Sequence, residues 1–188
     1  MENNNELFNK FEEKLETSLI EIATAKGMLD GKLYIVDELV EKWDEIAPEY
    51  LADAIKEIKD YPTVAIAWSG YIGMGIASLW DTVWEDYSKR SNIYAEFSAP
   101  RGFDCMDEYV LEEMLNLQLE SQEAIELENL MRSLSNTALT LIRKENIEPM
   151  SSDAFYIYAR TIKIMFKIGV SVILKKLGYK YEKVTVCS

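Results

Sequence analysis

Between Thr63 and Trp80 the chain carries no charged side chain, and Trp68, Ile72, Ile76, Leu79 and Trp80 fill one broad face of a helical wheel. A helix this apolar must be surrounded. Ala65, Ser69, Gly73 and Ala77 recur every fourth residue and form a ridge with almost no side-chain bulk, so a second helix is expected to dock closely along it. Gly70, Gly73 and Gly75 each cost about 1 kcal/mol relative to Ala, so packing rather than propensity must hold the segment helical. Pro62 suits a first helical turn and marks a chain corner at Tyr61.

Roughly 18 uncharged residues approach the ~20 that span a bilayer. The flanks argue for a core helix instead: Asp60 precedes the segment, Asp81, Glu85 and Asp86 follow it, and it contains three glycines and two serines. With 188 residues, 48% of them hydrophobic, one domain can bury a full core. The expectation is an all-α, single-domain bundle of six to seven helices over residues 1–188, with two largely buried central helices near 62–88 and 151–177. The first few residues and the tail from about 180 are expected to be flexible.

The chain has no histidine. That removes Ser-His-Asp and Cys-His nucleophile systems, His-ligated zinc and the Glu-x-x-His di-iron pattern of many bundles. No cofactor and no metal site is expected. Cys105 and Cys187 are far apart and read as reduced thiols, and the start of the chain has no signal-peptide pattern, so a cytoplasmic location is expected. A net charge of −13 disfavours nucleic acid or an anionic membrane as partner. Yet residues 151–188 carry a local +5, which suggests internal pairing of a basic last helix with acidic neighbours.

Along the chain, Leu7, Phe8, Phe11, Leu15, Leu19, Ile22 and Ala23 mark a first helix within 5–30, ended by Gly31 or already by Gly27. Lys32 to Ile46 reads as a second helix. Pro48 to Lys59, with Leu51, Ala54, Ile55 and Ile58 inward, reads as a third. Residues 88–103 read as the longest loop. Asp104 is the expected cap of a helix from Cys105 to about Leu119, and a break near Ser121 precedes another from Gln122 to Lys144. Ser151 to Asp153 supply caps for the last helix, which Gly178 stops. Its buried face centres on Phe155, Ala159, Ile162, Phe166, Gly169 and Ile173.

Trp80, Asp81, Trp84, Glu85 and Tyr87 could form an aromatic-walled acidic cup for a cation. Spacings of four and three also make Trp80 and Trp84 ordinary core residues, and that reading is preferred. Arg160, Lys163 and Lys167 could hold an anion, but pairing with acids, Asp81 and Glu85 among them, is preferred. The glutamates of 108–128 read as a solvated face. With no catalytic constellation in view, the expected function is protein–protein interaction or scaffolding, with another protein or a second copy as partner. A small-ligand pocket lined by Trp80, Asp81, Trp84 and Arg160 is the alternative. A histidine-free enzyme using Asp81 or Glu85, assisted by Tyr71 or Arg160, is the remotest reading.

Overall fold

Residues 2–90 and 92–180 are described in a computed structural model, with side chains described from residue 5 onward. Among these residues every regular element is helical: α1 Glu2–Ala25, α2 Asp37–Glu57, α3 Pro62–Thr82, α4 Trp84–Tyr87, α5 Tyr94–Ser98, α6 Met106–Tyr109, α7 Gln122–Lys144 and α8 Ser152–Lys176. The fold is an all-α bundle. Eight helices replace the expected six to seven, because short helices form within the supposed loop and one long helix replaces two.

The two apolar helices pack on each other as parallel partners. Ala65 meets Tyr158 near their starts, Gly73 meets Phe166 and Val170 midway, and Trp80 meets Tyr179 at their ends. At the crossing a Cβ added to Gly73 would overlap the Phe166 carbonyl oxygen, and one added to Gly169 would overlap that of Gly70. Only glycine permits this approach. Ala65, Ser69 and Ala77 are fully buried on the same helix, as the four-residue ridge requires. α3 is long and apolar enough to cross a membrane, with 72% of its apolar window buried by the rest of the protein.

Buried hydroxyls add specific ties. Tyr50 of α2 and Tyr158 of α8 both donate to the Ala65 carbonyl, at 2.6 and 2.7 Å. Burial raises both phenols, so each remains a donor at any physiological pH. Ser171 accepts the Tyr34 amide at 2.9 Å and pins the connector between α1 and α2 onto α8.

Several boundaries differ from expectation. α1 ends at Ala25, where Gly27 takes φ +75, and Gly31 at φ +77 belongs to the following turn. α2 runs straight through Pro48. Leu39, Trp43, Ile46, Tyr50 and Ala54 are buried on either side of the proline, and that continuous stripe outweighs its local cost. Asp104 makes no capping bond, and the helix expected from Cys105 to Leu119 shortens to α6 and a π-turn over Val110–Met114. A break does precede α7, whose Ser121 caps the Ala124 amide, and Ser151 caps α8 in the same way at Ala154. Phe155 and Ile55, expected inward, are 42% and 43% exposed. Phe155 lies in the first turn of α8, ahead of Tyr158, where that helix meets the start of α3. Residues 181–188, including Cys187, lie outside the described part.

Candidate functional site

The residues singled out in the sequence fall into three separate places. Trp80 and Trp84 do not form an open cup. Both indoles donate to the Glu38 carboxylate, which ties the start of α2 to the end of α3. Asp81 accepts the Tyr179 hydroxyl at 2.8 Å, and Tyr179 stacks on Trp80 with ring centroids 5.4 Å apart. A shallow depression of about 230 Å³ remains beside Trp80, walled by Ile35, Val36 and Leu174. Glu85 is exposed.

The basic stripe of α8 is paired within the fold. Arg160 bonds Glu12 and Asn9 on α1, Lys163 bonds Asp44 on α2 at 3.0 Å, and Lys167 lies 3.9 Å from Glu16. Lys175 reaches Asp30 at 2.7 Å, and Lys176 reaches Glu123. Pairing with acidic neighbours was expected, but Asp81 and Glu85, named among them, are not the partners: Asp81 lies at the other end of α3 and Glu85 on α4. Arg160 sits near the Ala65 end of the parallel pair and Trp80 near its Tyr179 end, so the proposed Trp80, Asp81, Trp84 and Arg160 pocket is not assembled. The glutamates of 108–113 are not a purely solvated row, because Glu108, Glu112 and Glu113 gather around Arg101.

Tyr71 points elsewhere, into a cavity of about 370 Å³ between α3, α6 and α7. Its walls follow from local structure. Gly70 leaves room for the Met131 side chain, which forms part of the floor. The Trp68 indole donates to the Phe103 carbonyl and Ser78 donates to the Met114 carbonyl at 2.8 Å, so the segment bearing α6 and the π-turn is fastened over α3. That fastening brings Asp107 over the cavity. A helix interrupted by a π-turn is a recurrent way of aiming such a side chain. Trp68 and Tyr71, edge to face at 5.7 Å, supply an aromatic wall, and α7 contributes Glu128 and Arg132 one turn apart.

The electrostatics of this cavity are distinctive. Burial lifts the Asp107 carboxyl to about 6; the amides of Glu108 and Asp107 oppose the rise, and the charges of Glu108 and Glu128 add to it. Burial also raises Tyr71, helped by Asp107 and Glu128 and opposed by Arg132, so all three charges act on its hydroxyl. Tyr71 is only 3% exposed, yet its hydroxyl has no hydrogen-bond partner among the described residues, and neither Asp107, Glu128 nor Arg132 forms an ion pair there. Among the described residues no polar side-chain atom sealed from solvent lacks a partner, so the Tyr71 hydroxyl opens onto the cavity. At the far end Thr63 and Val64 present the first turn of α3, whose cap residue Tyr61 makes no side-chain bond to it.

Asp107 reads in the sequence as an ordinary acid in a first helical turn, and Glu128 as part of a solvated row. Trp68 reads as core. The polar handles on Trp68 and Tyr71 at a spacing of three, and Glu128 and Arg132 at four, are the only signals that point here. The chain matches no protein family, no curated protein and no solved structure.

Proposed function

We propose that this protein is a small-ligand-binding helical bundle whose cavity between α3, α6 and α7 takes a compact molecule with a protonated amine at one end and an anionic group at the other. One observation carries the reading: Tyr71, Asp107, Glu128 and Arg132 converge on one cavity, and no ion pair neutralises any of the three charged groups among the described residues. Asp107 is the group that bears a cost, a half-buried carboxyl with no cation beside it, while Glu128 is half-buried and Arg132 exposed at the mouth; a site that tolerates such a cost is a candidate for function.

The chemistry follows from placement. Asp107 and Glu128 beside Tyr71 favour a cation, and the aromatic wall of Trp68 and Tyr71 adds to that preference. Arg132, with the uncapped first turn of α3, favours a carboxylate or similar anion. α7 runs antiparallel to α3, since Glu123 near its start pairs with Lys176 at the end of α8. Glu128 therefore lies toward Tyr71, and Ser135 toward Thr63, which separates the acidic pole from the anion-accepting one.

The test uses three probes of similar size: γ-aminobutyrate, n-butylamine and butyrate. The Trp68 indole N–H, observed by nitrogen-edited NMR, reports binding. γ-Aminobutyrate should shift it most, butylamine less and butyrate least, and Asp107→Asn should abolish the response to the amines. If none of the three moves Trp68 at millimolar concentration, or if Asp107→Asn responds like wild type, the reading fails.

A further inference from the structure

A second surface stands apart from the cavity. On α2, Ala47, Leu51 and Ile55 recur every fourth residue, and with Phe155 from α8 they line an open groove of about 500 Å³. Phe155 touches Tyr156 edge to face at 6.1 Å and Tyr156 touches Phe8 at 5.8 Å, so the apolar surface continues from the groove across the start of α8. Ile55, Phe155 and Tyr156 are 43%, 42% and 54% exposed. A contiguous exposed patch of this kind marks an interaction site more often than scattered single residues do.

The charge around the groove selects the occupant. Asp44, the one charged residue lining the groove, keeps 68% of its side chain exposed while it bridges Lys163, and the exposed Glu41 precedes it on the same face of α2. Pro48, in the groove wall, has no N–H, so the Asp44 carbonyl lacks the amide that would bond it in a regular helix and is left as an acceptor beside the groove. A second copy would set one acidic α2 against another, which like-charge repulsion opposes. A straight helical ridge of three residues about 12 Å long, beside a rim of acceptors, suits a helix laid along it.

We infer that the groove formed by α2 and Phe155 docks a basic amphipathic helix of a partner protein, its apolar stripe on Leu51, Ile55 and Phe155 and its Lys or Arg side chains on the acidic rim. Two labelled helical peptides of leucine with lysine, and of leucine with glutamate, test this by fluorescence anisotropy against the full chain. The lysine peptide should bind saturably and the glutamate peptide at least tenfold more weakly. The double variant Ile55→Ser, Phe155→Ser, both exposed positions, should weaken the lysine peptide about tenfold with unchanged circular dichroism. If that variant unfolds, amide shifts in the wild-type chain replace it, and they should concentrate at Ala52, Ile55 and Phe155. Equal binding of the two peptides, lysine-peptide binding that ignores the double variant, or shifts spread over the acidic surface would each overturn the inference. So would concentration-dependent self-association of the wild type that the double variant abolishes, because a second copy would then fill the groove.

Discussion

Helix α3 has two faces that behave in opposite ways. Toward α8 it presents Gly70 and Gly73, the backbones touch, and nothing polar intervenes except hydroxyls that are fully bonded. Toward α6 and α7 the same helix presents Trp68 and Tyr71 to a cavity where one phenol meets three charged groups that form no ion pair among the described residues. The first face holds the fold together and the second is held open by it. A rigid, dry seam on one side is what allows a costly polar cavity on the other to keep its shape.

The seam should yield the largest effects. Gly169→Ala places a methyl group against the Gly70 carbonyl, backbone that cannot swing aside, and Gly73→Leu wedges a larger side chain against Phe166. Each should cost about 3 kcal/mol or more in a denaturant melt, or prevent folding. A loss below about 0.5 kcal/mol for either would show that the helices do not touch there.

The cavity should respond with the opposite sign. The Asp107 carboxyl titrates near 6 in the folded protein, against 3.8 for an ordinary aspartate, so folding favours its protonated form. Below pH 3.8 both states are protonated and ionisation has no cost. The cost grows as pH rises from about 4 to 6 and is complete above that. Asp107→Asn should therefore stabilise the protein by about 1–2 kcal/mol at pH 7.5, allowing for partial solvent screening, and hardly at all at pH 4. Equal melting of variant and wild type at both pH values would mean that the site stores no such cost.

Much of the seam was legible because it is written in local periodicity: a four-residue ridge on α3 and Gly169 on α8 need no knowledge of topology to be matched. The Ser151 cap, the Gly178 stop and the break near Ser121 were legible for the same reason, since helix ends are set by neighbouring residues, whereas Asp104, read as a cap, makes no such bond. Pro48 misled because a local breaker was weighed without the buried stripe of α2 that overrides it. The cavity stayed hidden for a different reason. Asp107, Glu128 and Tyr71 lie on three helices, and a surface-like acid becomes buried only when Trp68 and Ser78 fasten the π-turn segment over α3. No spacing within one helix encodes that. Trp80 and Trp84 pack against the core as the preferred reading had it, but their tie to Glu38 was hidden likewise, because that residue comes from another helix.

Smaller effects separate the tie points around the two faces. Tyr158→Phe removes one of two donors to the Ala65 carbonyl and should cost about 1 kcal/mol, less than the glycine changes, because Tyr50 continues to satisfy that oxygen. Arg160→Ala breaks the bond to Glu12 at a site 30% exposed and should cost about 0.5 kcal/mol or less, shrinking in high salt. Unchanged or improved stability at low salt would mean that the basic stripe of α8 is not neutralised by α1.

The most direct test of the cavity as a ligand site is the titration of the Asp107 carboxyl carbon by NMR, alone and with γ-aminobutyrate. The free protein should give a midpoint near 6, and the amine of the probe should draw it downward, since a bound cation stabilises the carboxylate. A midpoint near 4 that the probe leaves unmoved would contradict both the burial of Asp107 and its role in holding a ligand.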